Sequence, residues 1–154
     1  KVESGKPARA LEPKLDPSHK KLVDDLVAAF QRRDLEDISK LFLSTASSTC
    51  YGCFNEGSLE EIKKGSLFYT VHDYDGTVQP ASYEGRVAVV AGEPLFIHVS
   101  KGKLVDVWRF RFSDGHVSHF DCYYTSPNVL EEIAAVLGLP SGNNGYFYED
   151  RPAK

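Results

Sequence analysis

The stretch RFRFSDGHVSHFDCYY, residues 109–124, decides the fold of this chain. It predicts two antiparallel strands joined at Asp114 and Gly115, because an Asp-Gly pair readily adopts the positive φ angles that a tight hairpin turn needs. The second strand carries His119 and Asp121 two residues apart. We therefore expect a hairpin whose second strand brings ionisable side chains into a sheet.

Proton-transferring groups share one predicted face of this second strand. Side chains alternate between the two faces of a strand, so we expect one face to present Val117, His119, Asp121 and Tyr123. The other face would present His116, Ser118, Phe120, Cys122 and Tyr124. An imidazole, a carboxylate and a phenol on one face could transfer protons if that face lines a pocket.

The sequence before the hairpin predicts three helices. Asp16, followed by proline, is a typical helix start, and apolar residues then recur at helical spacing as far as Phe30. Asp34 opens a second, short helix, and Ser58 begins the capping box of a third. After the hairpin, residues 129–138 predict a last helix that ends at a glycine.

Strand patterns fill the region between the third helix and the hairpin. Residues 67–74 and 86–99 are rich in β-branched and aromatic side chains. Before the third helix, residues 44–54 fit either a short strand or a loop. Proline cannot donate to a ladder, so a bulge or an edge position is expected at residues 92–94. Helices segregated from an antiparallel sheet indicate an α+β fold, in which a strongly curved sheet around the helices leaves a conical cavity.

The chain of 154 residues is predicted to form one domain over residues 16–140. Its apolar fraction of 42% is sufficient for a single core. Residues 1–15 mix charge with proline and glycine and show no period, which predicts a flexible arm. Residues 141–154 contain three aromatic side chains, and we expect this tail to dock on its own fold or on a neighbour.

Composition and motifs exclude several classes of function. The net charge of −4 argues against nucleic acid or an anionic membrane as a principal partner, and no apolar run approaches the ~18 residues of a transmembrane helix. Phosphate-binding glycine loops, serine-hydrolase elbows and zinc-protease motifs are absent from the sequence. The chain has no methionine and starts at Lys1, so both a cytoplasmic location and secretion after removal of a leader stay open.

The three cysteines allow three interpretations. Cys50 and Cys53 form a Cys-x-x-Cys motif, and Cys122 lies in the hairpin. Reduced structural thiols are favoured, because cysteine is among the most buried residue types. A Cys50–Cys53 disulfide is the second interpretation and would favour a secreted protein. A redox or metal role is the third. A metal site would need His119 beside Cys122 as a further ligand, so we expect none.

Three segments together carry the pattern of a known family. They are AAFQRRDLEDISKLF in the predicted helices, EGRVAVVAGE in the long strand and VDVWRFRFSDGHVSHFD in the hairpin. The chain resembles the SnoaL-like polyketide cyclases of the nuclear transport factor 2-like superfamily over residues 22–124. The resemblance implies an α+β cone, with a curved antiparallel sheet wrapped around N-terminal helices. It departs from the family pattern at residues 66–83 and at Phe120, where the cyclases usually carry tryptophan.

The resemblance also implies a set of site residues. Asp121 matches the general acid/base of a ring-forming step, and His119 or His98 would assist it. Tyr123 could donate to a developing enolate oxygen. A carboxylate in an aromatic cavity is desolvated, which raises its pKa and makes it a better base. The remaining substrate-binding walls are expected to be Trp108, Tyr51, Tyr69 and Phe30.

The first hypothesis for function is a SnoaL-like enzyme of secondary metabolism that uses neither a cofactor nor a metal. It would carry out cyclisation, isomerisation or dehydration of a small, largely apolar carbonyl compound, and so belong to the lyases or isomerases. The alternative is a non-catalytic binding or interaction module with the same cavity, secreted and dimeric through its sheet face. A small molecule is the expected partner in both cases, and a homodimer stays open.

Overall fold

The structure is a computed structural model that describes residues 14–142. In this range the helices are α1 (Pro17–Gln31), α2 (Leu35–Ser39), α3 (Leu59–Lys64), α4 (Ser66–Val71) and α5 (Pro127–Leu137). The strands are β1 (Phe42–Cys50), β2 (Phe54–Glu56), β3 (Tyr83–Val90), β4 (Glu93–Ser100), β5 (Lys103–Ser113) and β6 (His116–Cys122). The predicted arm, residues 1–15, and the predicted tail, residues 141–154, fall almost entirely outside the described residues.

All six strands belong to one curved, open sheet in the order β2-β1-β6-β5-β4-β3. Neighbouring strands are antiparallel except β1 and β6, which run parallel. Helix α1 packs on β3 and β4, and α3 packs on β1. The predicted α+β fold, a curved sheet around N-terminal helices, is confirmed. The expectation of a purely antiparallel sheet is wrong at β1, because residues 42–50 form a strand that pairs with β6.

The central hairpin forms as predicted, with one irregularity that changes its faces. Asp114 and Gly115 have φ angles of 51° and 69° in the turn between β5 and β6. The register then shifts, because Phe112 pairs with Val117 whereas Arg111 pairs with His119. Ser118 is therefore an extra residue on β6, a β-bulge. The prediction that Val117 shares a face with His119 is wrong, since the bulge moves all residues after it to the opposite face.

Residues 67–74 do not form the predicted strand, since α4 occupies residues 66–71. The carboxylate of Glu56 accepts hydrogen bonds from the Ser66 amide at 2.9 Å and the Ser66 hydroxyl at 2.6 Å, which satisfies the start of the helix. Leu67 and Val71, one helical turn apart, are both buried in the core. Tertiary packing thus overrides the strand propensity of this segment.

A second hairpin replaces the long strand predicted over residues 86–99. Ala91 and Gly92 have φ angles of 51° and 75° and form the turn between β3 and β4. Pro94 pairs with Val89 without a register shift, so the expected bulge at residues 92–94 is wrong, whereas the alternative of an edge position agrees with the pairing recorded on one side of Pro94 only. The missing amide of Pro94 is tolerated because the recorded pairing of β4 with β5 begins only at Phe96.

The two faces of the sheet support two cores. The inner face packs against α1 to α4. The core between them includes Phe30 of α1 and, from the sheet, Phe96, Trp108 and Phe120. The outer face packs against α5, whose Leu130 and Ala134 contact side chains from Ala88, Leu95, Ile97, Val99, Leu104 and Val107. No helix in residues 14–142 is long and apolar enough to cross a membrane.

Candidate functional site

A cavity of about 350 Å³ opens at the inner face, between α4, the loop that follows it, the middle of β5 and the ends of β1 and β6. Its lining surface is mainly apolar and includes six phenylalanine, tyrosine or tryptophan side chains, beside several polar groups. The residues of interest in its wall are Cys50, Ser66, Tyr69, Tyr74, Tyr83, Asp106, Trp108, Cys122 and Tyr124. Tyr69 and Tyr74 are exposed and stand at its mouth, with ring centroids 5.5 Å apart.

Asp106 is the buried carboxylate of this cavity, with 4% of its surface exposed. Its Oδ1 accepts a hydrogen bond from the Val107 amide at 2.7 Å, and its Oδ2 accepts one from the Trp108 indole at 2.9 Å. The Cys122 thiol donates to Oδ2 at 3.3 Å. These donors offset the cost of burying a carboxylate and fix its orientation in the wall.

His98 is the imidazole closest to Asp106 and is fully buried. Its Nδ1 lies 3.3 Å from Asp106 Oδ2, which is an ion-pair distance, yet neither ring nitrogen has a hydrogen-bond partner among the described residues. The ring is enclosed by aromatic side chains, with centroids 4.2 Å from Phe96 and 5.4 Å from Trp108. A buried polar group without a hydrogen bond is rare in native proteins, and a catalytic role is one of the explanations for it.

Two phenols complete the polar groups of the wall. Burial raises the pKa of Tyr83 well above its usual value, and the negative charge of Asp106 adds to the effect. Burial likewise raises the pKa of Tyr124 to about 12, with Tyr74 as the next cause. Arg33 holds the backbone at Tyr83, since its guanidinium donates to the Tyr83 carbonyl at 2.6 Å. Both phenols are therefore neutral hydrogen-bond donors at neutral pH.

The cysteines lie at one end of this cavity and are not bridged. Cys50 and Cys122 are register partners on β1 and β6, and their sulfur atoms are 3.6 Å apart. Cys53 is exposed in the turn after β1, with its sulfur 3.4 Å from the Thr125 hydroxyl. Within residues 14–142, no group of three or more histidine, cysteine or acidic side chains is arranged to hold a metal ion.

Comparison with known proteins identifies the architecture. No family model and no curated protein matches the sequence. Among solved structures, a nuclear transport factor 2-like protein of unknown function from Burkholderia xenovorans LB400 matches with a TM-score of 0.53 at 11% identity, covering 89% of this chain and 94% of that chain. A steroid delta-isomerase from Pseudomonas aeruginosa matches with a TM-score of 0.51 at 14% identity, covering 82% and 98%. The chain has the nuclear transport factor 2-like fold.

A third match is consistent with this fold. Bal32a, from a soil-derived mobile gene cassette, has a TM-score of 0.50 at 20% identity and covers 69% of this chain and 88% of that chain. Identities this low establish a shared architecture, and membership of the SnoaL-like subfamily stays a prediction.

The structure divides the predicted site residues between the two faces of the nuclear transport factor 2-like sheet. Trp108 and Tyr69 line the cavity, while His98 and Phe30 lie in the core behind it, with ring centroids 5.4 Å apart. The other four predicted residues lie on the outer face and are not among the residues that line this cavity: Tyr51, His119, Asp121 and Tyr123.

The outer-face residues form a chain of side-chain contacts of their own. The Ser47 hydroxyl lies 2.7 Å from His119 Nδ1, and His119 Nε2 lies 3.1 Å from Asp121 Oδ1. Tyr51 and Tyr123 stack beside them with ring centroids 5.2 Å apart. This arrangement, which we call the outer chain (Ser47, His119 and Asp121), can also relay a proton.

Sequence analysis missed Asp106, Tyr83 and Tyr124 as candidates. Trp108 was predicted to be a cavity wall, and Asp106 lies two residues before it in the same strand. Strand alternation would therefore have placed Asp106 on the face of Trp108. No comparable local signal existed for Tyr83, because its position in the cavity depends on the β3–β4 hairpin and on Arg33.

Proposed function

We propose that this protein is a cofactor-free enzyme that carries out acid/base chemistry on a small, largely apolar carbonyl compound bound in the inner cavity, with Asp106 as the base. One observation carries the proposal: the Asp106 carboxylate lies in the wall of an aromatic cavity, held by the Trp108 indole at 2.9 Å. A carboxylate fixed in a desolvated pocket is suited to removing a proton from carbon next to a carbonyl.

The other groups of the wall supply the remaining roles. The flat apolar part of the substrate would lie against Trp108 and the aromatic mouth at Tyr69. The carbonyl oxygen would accept a hydrogen bond from Tyr83 or Tyr124, whose phenols stay protonated at neutral pH. Negative charge moves from the carboxylate to the enolate oxygen during the reaction, so preorganised phenol donors stabilise the transition state more than the ground state.

His98 acts through Asp106 in this scheme as a positioning residue. Its Nδ1 is 3.3 Å from Asp106 Oδ2, and a small rotation of the ring would align a hydrogen bond. An imidazole at this distance orients the carboxylate. Substitution of His98 should therefore lower kcat more than it weakens binding of the ketone.

Isomerisation is the reaction that needs the fewest catalytic groups in this site. Asp106 takes a proton from one carbon and returns it to another, so one base and one oxyanion donor suffice. The shared fold of a steroid delta-isomerase supports this choice. Cyclisation of the SnoaL-like type and dehydration are finer alternatives, since both begin with the same proton abstraction and differ in the fate of the enolate.

The outer chain is a second candidate for the catalytic base, because the resemblance to SnoaL-like cyclases implies Asp121 in that role. Its support is the pair of contacts that link Ser47, His119 and Asp121 in one row. A substrate at the outer chain would need a binding surface on the outer face.

The test is isomerisation of a β,γ-unsaturated cyclic ketone to its conjugated isomer, followed by ultraviolet absorbance. We expect wild-type protein to catalyse the reaction and Asp106→Asn to lower kcat by roughly 10²–10⁴-fold, the usual contribution of general acid/base catalysis. Binding of the ketone, measured by calorimetry, should change little because asparagine has nearly the same shape. Wild-type protein that binds the ketone and returns it unchanged would support the binding module instead.

A further inference from the structure

Two thiols face each other at the end of the cavity. Cys50 ends β1 and Cys122 ends β6, and they are register partners across the parallel pair. Neighbouring strands lie ~4.8 Å apart, which is within the range of ~4.4–6.8 Å between the Cα atoms of bridged cysteines. The sulfur atoms are 3.6 Å apart, so side-chain rotation would bring them to bonding distance.

The surroundings of the two thiols differ in a way that assigns them different roles. The hydrogen bond with Cys122 lowers the pKa of Cys50, whereas the same hydrogen bond and burial raise the pKa of Cys122. The Asp106 carboxylate lies against Cys122 and disfavours a second negative charge there, so Cys50 is assigned as the thiol that first becomes a thiolate, the nucleophilic form of cysteine. Cys122 lies 3.3 Å from Asp106 Oδ2, so a proton acceptor is in place for the second thiol.

The cavity gives a small oxidant access to this pair. Cys50 and Cys122 both line it, although little of either side chain is exposed to bulk solvent. Exposed side chains also line the same cavity, among them Tyr74 and Cys53, so the cavity reaches the surface. A solute of the size of a hydroperoxide can therefore reach Cys50.

We propose that Cys50 and Cys122 form a peroxide-oxidisable pair, in which a hydroperoxide that enters the cavity converts the two thiols into a disulfide. The proposal goes beyond the acid/base function and does not depend on it. Its reactant class is a hydroperoxide, and its product is a cross-strand bond between the ends of β1 and β6.

The chemistry balances in two steps. The Cys50 thiolate attacks one peroxide oxygen, and the O–O bond breaks. Cys50 becomes a sulfenic acid, and the other half of the peroxide takes up one proton and leaves as an alcohol, or as water when the oxidant is hydrogen peroxide. Cys122 then loses its proton to Asp106, and its sulfur attacks Cys50. The S–O bond breaks, the S–S bond forms, and the released hydroxide takes the proton from Asp106 to leave as water. Two electrons pass from sulfur to the peroxide.

The bond would change the cavity itself. Once bridged, Cys122 has no proton to donate to Asp106, so the carboxylate loses one of its hydrogen-bond donors. Trp108 is the register partner of Cys122 on β5 and the only tryptophan of the chain. Its fluorescence should fall on oxidation, because a disulfide beside an indole quenches its emission.

A Cys50–Cys53 bridge is the competing product. Only two residues separate these cysteines, and the Cys53 amide donates to the Cys50 carbonyl at 3.0 Å in a tight turn. Cys53 is exposed, however, and its sulfur contacts the Thr125 hydroxyl at 3.4 Å. Cys122, in contrast, is held beside Cys50 within the wall, so the proposal commits to the cross-strand bond.

The experiment treats the folded full chain with hydrogen peroxide, blocks remaining thiols with N-ethylmaleimide after unfolding and maps the bridge by mass spectrometry. Chymotrypsin can cleave after Tyr51 and so separate Cys50 from Cys53. We expect one blocked thiol, at Cys53, and a peptide that joins Cys50 to Cys122. A Cys50–Cys53 peptide, three blocked thiols, or Cys50 carried on to sulfinic acid without a bridge would each overturn the proposal.

Two cysteine variants test which thiols form the bridge. Cys53→Ser is the matched control and should form the bridge within about twofold of the wild-type rate, because the exposed thiol takes no part. Cys122→Ser should stop at a sulfenic acid on Cys50 that dimedone traps. If Cys122→Ser does not fold by circular dichroism, the wild-type peptide map and the rate of tryptophan quenching in Cys53→Ser still decide the question. A Cys53→Ser variant that fails to bridge would contradict the proposal. None of these readouts depends on isomerase activity.

Discussion

Strands β5 and β6 carry two buried aspartates in contrasting settings. Asp106, on the inner face, lines a cavity of about 350 Å³ and is held by the Trp108 indole. Asp121, on the outer face, is joined to His119 at 3.1 Å and through it to Ser47. The first has a space for a ligand beside it, whereas the partners of the second are side chains of its own sheet.

The difference teaches that the residue type alone does not identify a site. The outer chain follows from strand register, since Ser47 is the partner of His119 across the parallel β1–β6 pair. Such cross-strand polar pairs stabilise sheets without any catalytic role. Asp106 lies beside an imidazole that has no hydrogen-bond partner within residues 14–142 and near two neutral phenols, and this combination has a direct use in proton transfer.

The largest expected effect concerns the wall of the cavity. Trp108→Ala should lower the free energy of unfolding by about 3–5 kcal/mol, because the indole is 1% exposed and is stacked on Phe120 at 4.2 Å. Tyr123→Ala, on the half-exposed outer face, should cost about 1 kcal/mol, the typical effect of a point substitution. Guanidinium denaturation checks both. Equal costs would show that the cavity wall is no more closely packed than the outer face.

Two consecutive tyrosines provide a matched pair for catalysis. Tyr124→Phe removes a phenol from the cavity and should lower kcat by roughly 10²–10³-fold if Tyr124 is the main donor to the enolate oxygen. Tyr123→Phe removes the same atom from the opposite face and should leave kcat unchanged. Steady-state isomerisation of the β,γ-unsaturated ketone measures both. Loss of activity in Tyr123→Phe alone would favour the outer face as the site.

Ser47→Ala tests what the outer chain contributes. We expect the free energy of unfolding to fall by about 1 kcal/mol, since one partly buried hydrogen bond to His119 is lost. Isomerase activity should stay at the wild-type level. Urea denaturation and kcat, measured on the same preparation, provide the two values. A large loss of kcat with unchanged stability would contradict the structural role.

The last expected effect is a loss of stability that appears only at alkaline pH. The folded-state pKa of Tyr124, about 12, lies above the value of ~10 in an unfolded chain. A raised pKa favours the protonated phenol in the fold, so its contribution is fully present below about pH 10 and lost as the pH rises to about 12. Denaturation midpoints of wild type and Tyr124→Phe should therefore differ in slope across this window. Parallel pH profiles would contradict the assignment.

Local signals account for the parts of the fold that the sequence predicts. Asp114 and Gly115 specify their own turn, and the cap at Asp16 accepts the Ser18 amide at 2.8 Å, as its place before Pro17 suggests. Long-range contacts account for the rest. The helix at Ser66 depends on Glu56, ten residues earlier, and the parallel β1–β6 pairing joins segments about 70 residues apart.

A single residue explains why the predicted site differs from the cavity site. Val117 is buried in the inner core, and strict alternation from it would bring His119 and Asp121 to the inner face. The extra residue Ser118 places them on the outer face instead. A bulge has no reliable signature in one sequence, so the face on which Asp121 lies became clear only in three dimensions, and its catalytic role stays a prediction.

The most direct test compares the two aspartates with the same substitution. Asp106→Asn and Asp121→Asn both exchange a buried carboxylate for an amide of equal size on adjacent strands, and circular dichroism checks that each variant is folded. For isomerisation of the β,γ-unsaturated ketone, we predict that kcat falls by roughly 10²–10⁴-fold in Asp106→Asn and by less than about twofold in Asp121→Asn. The reverse ratio would contradict the inner cavity as the active site and establish the outer chain in its place.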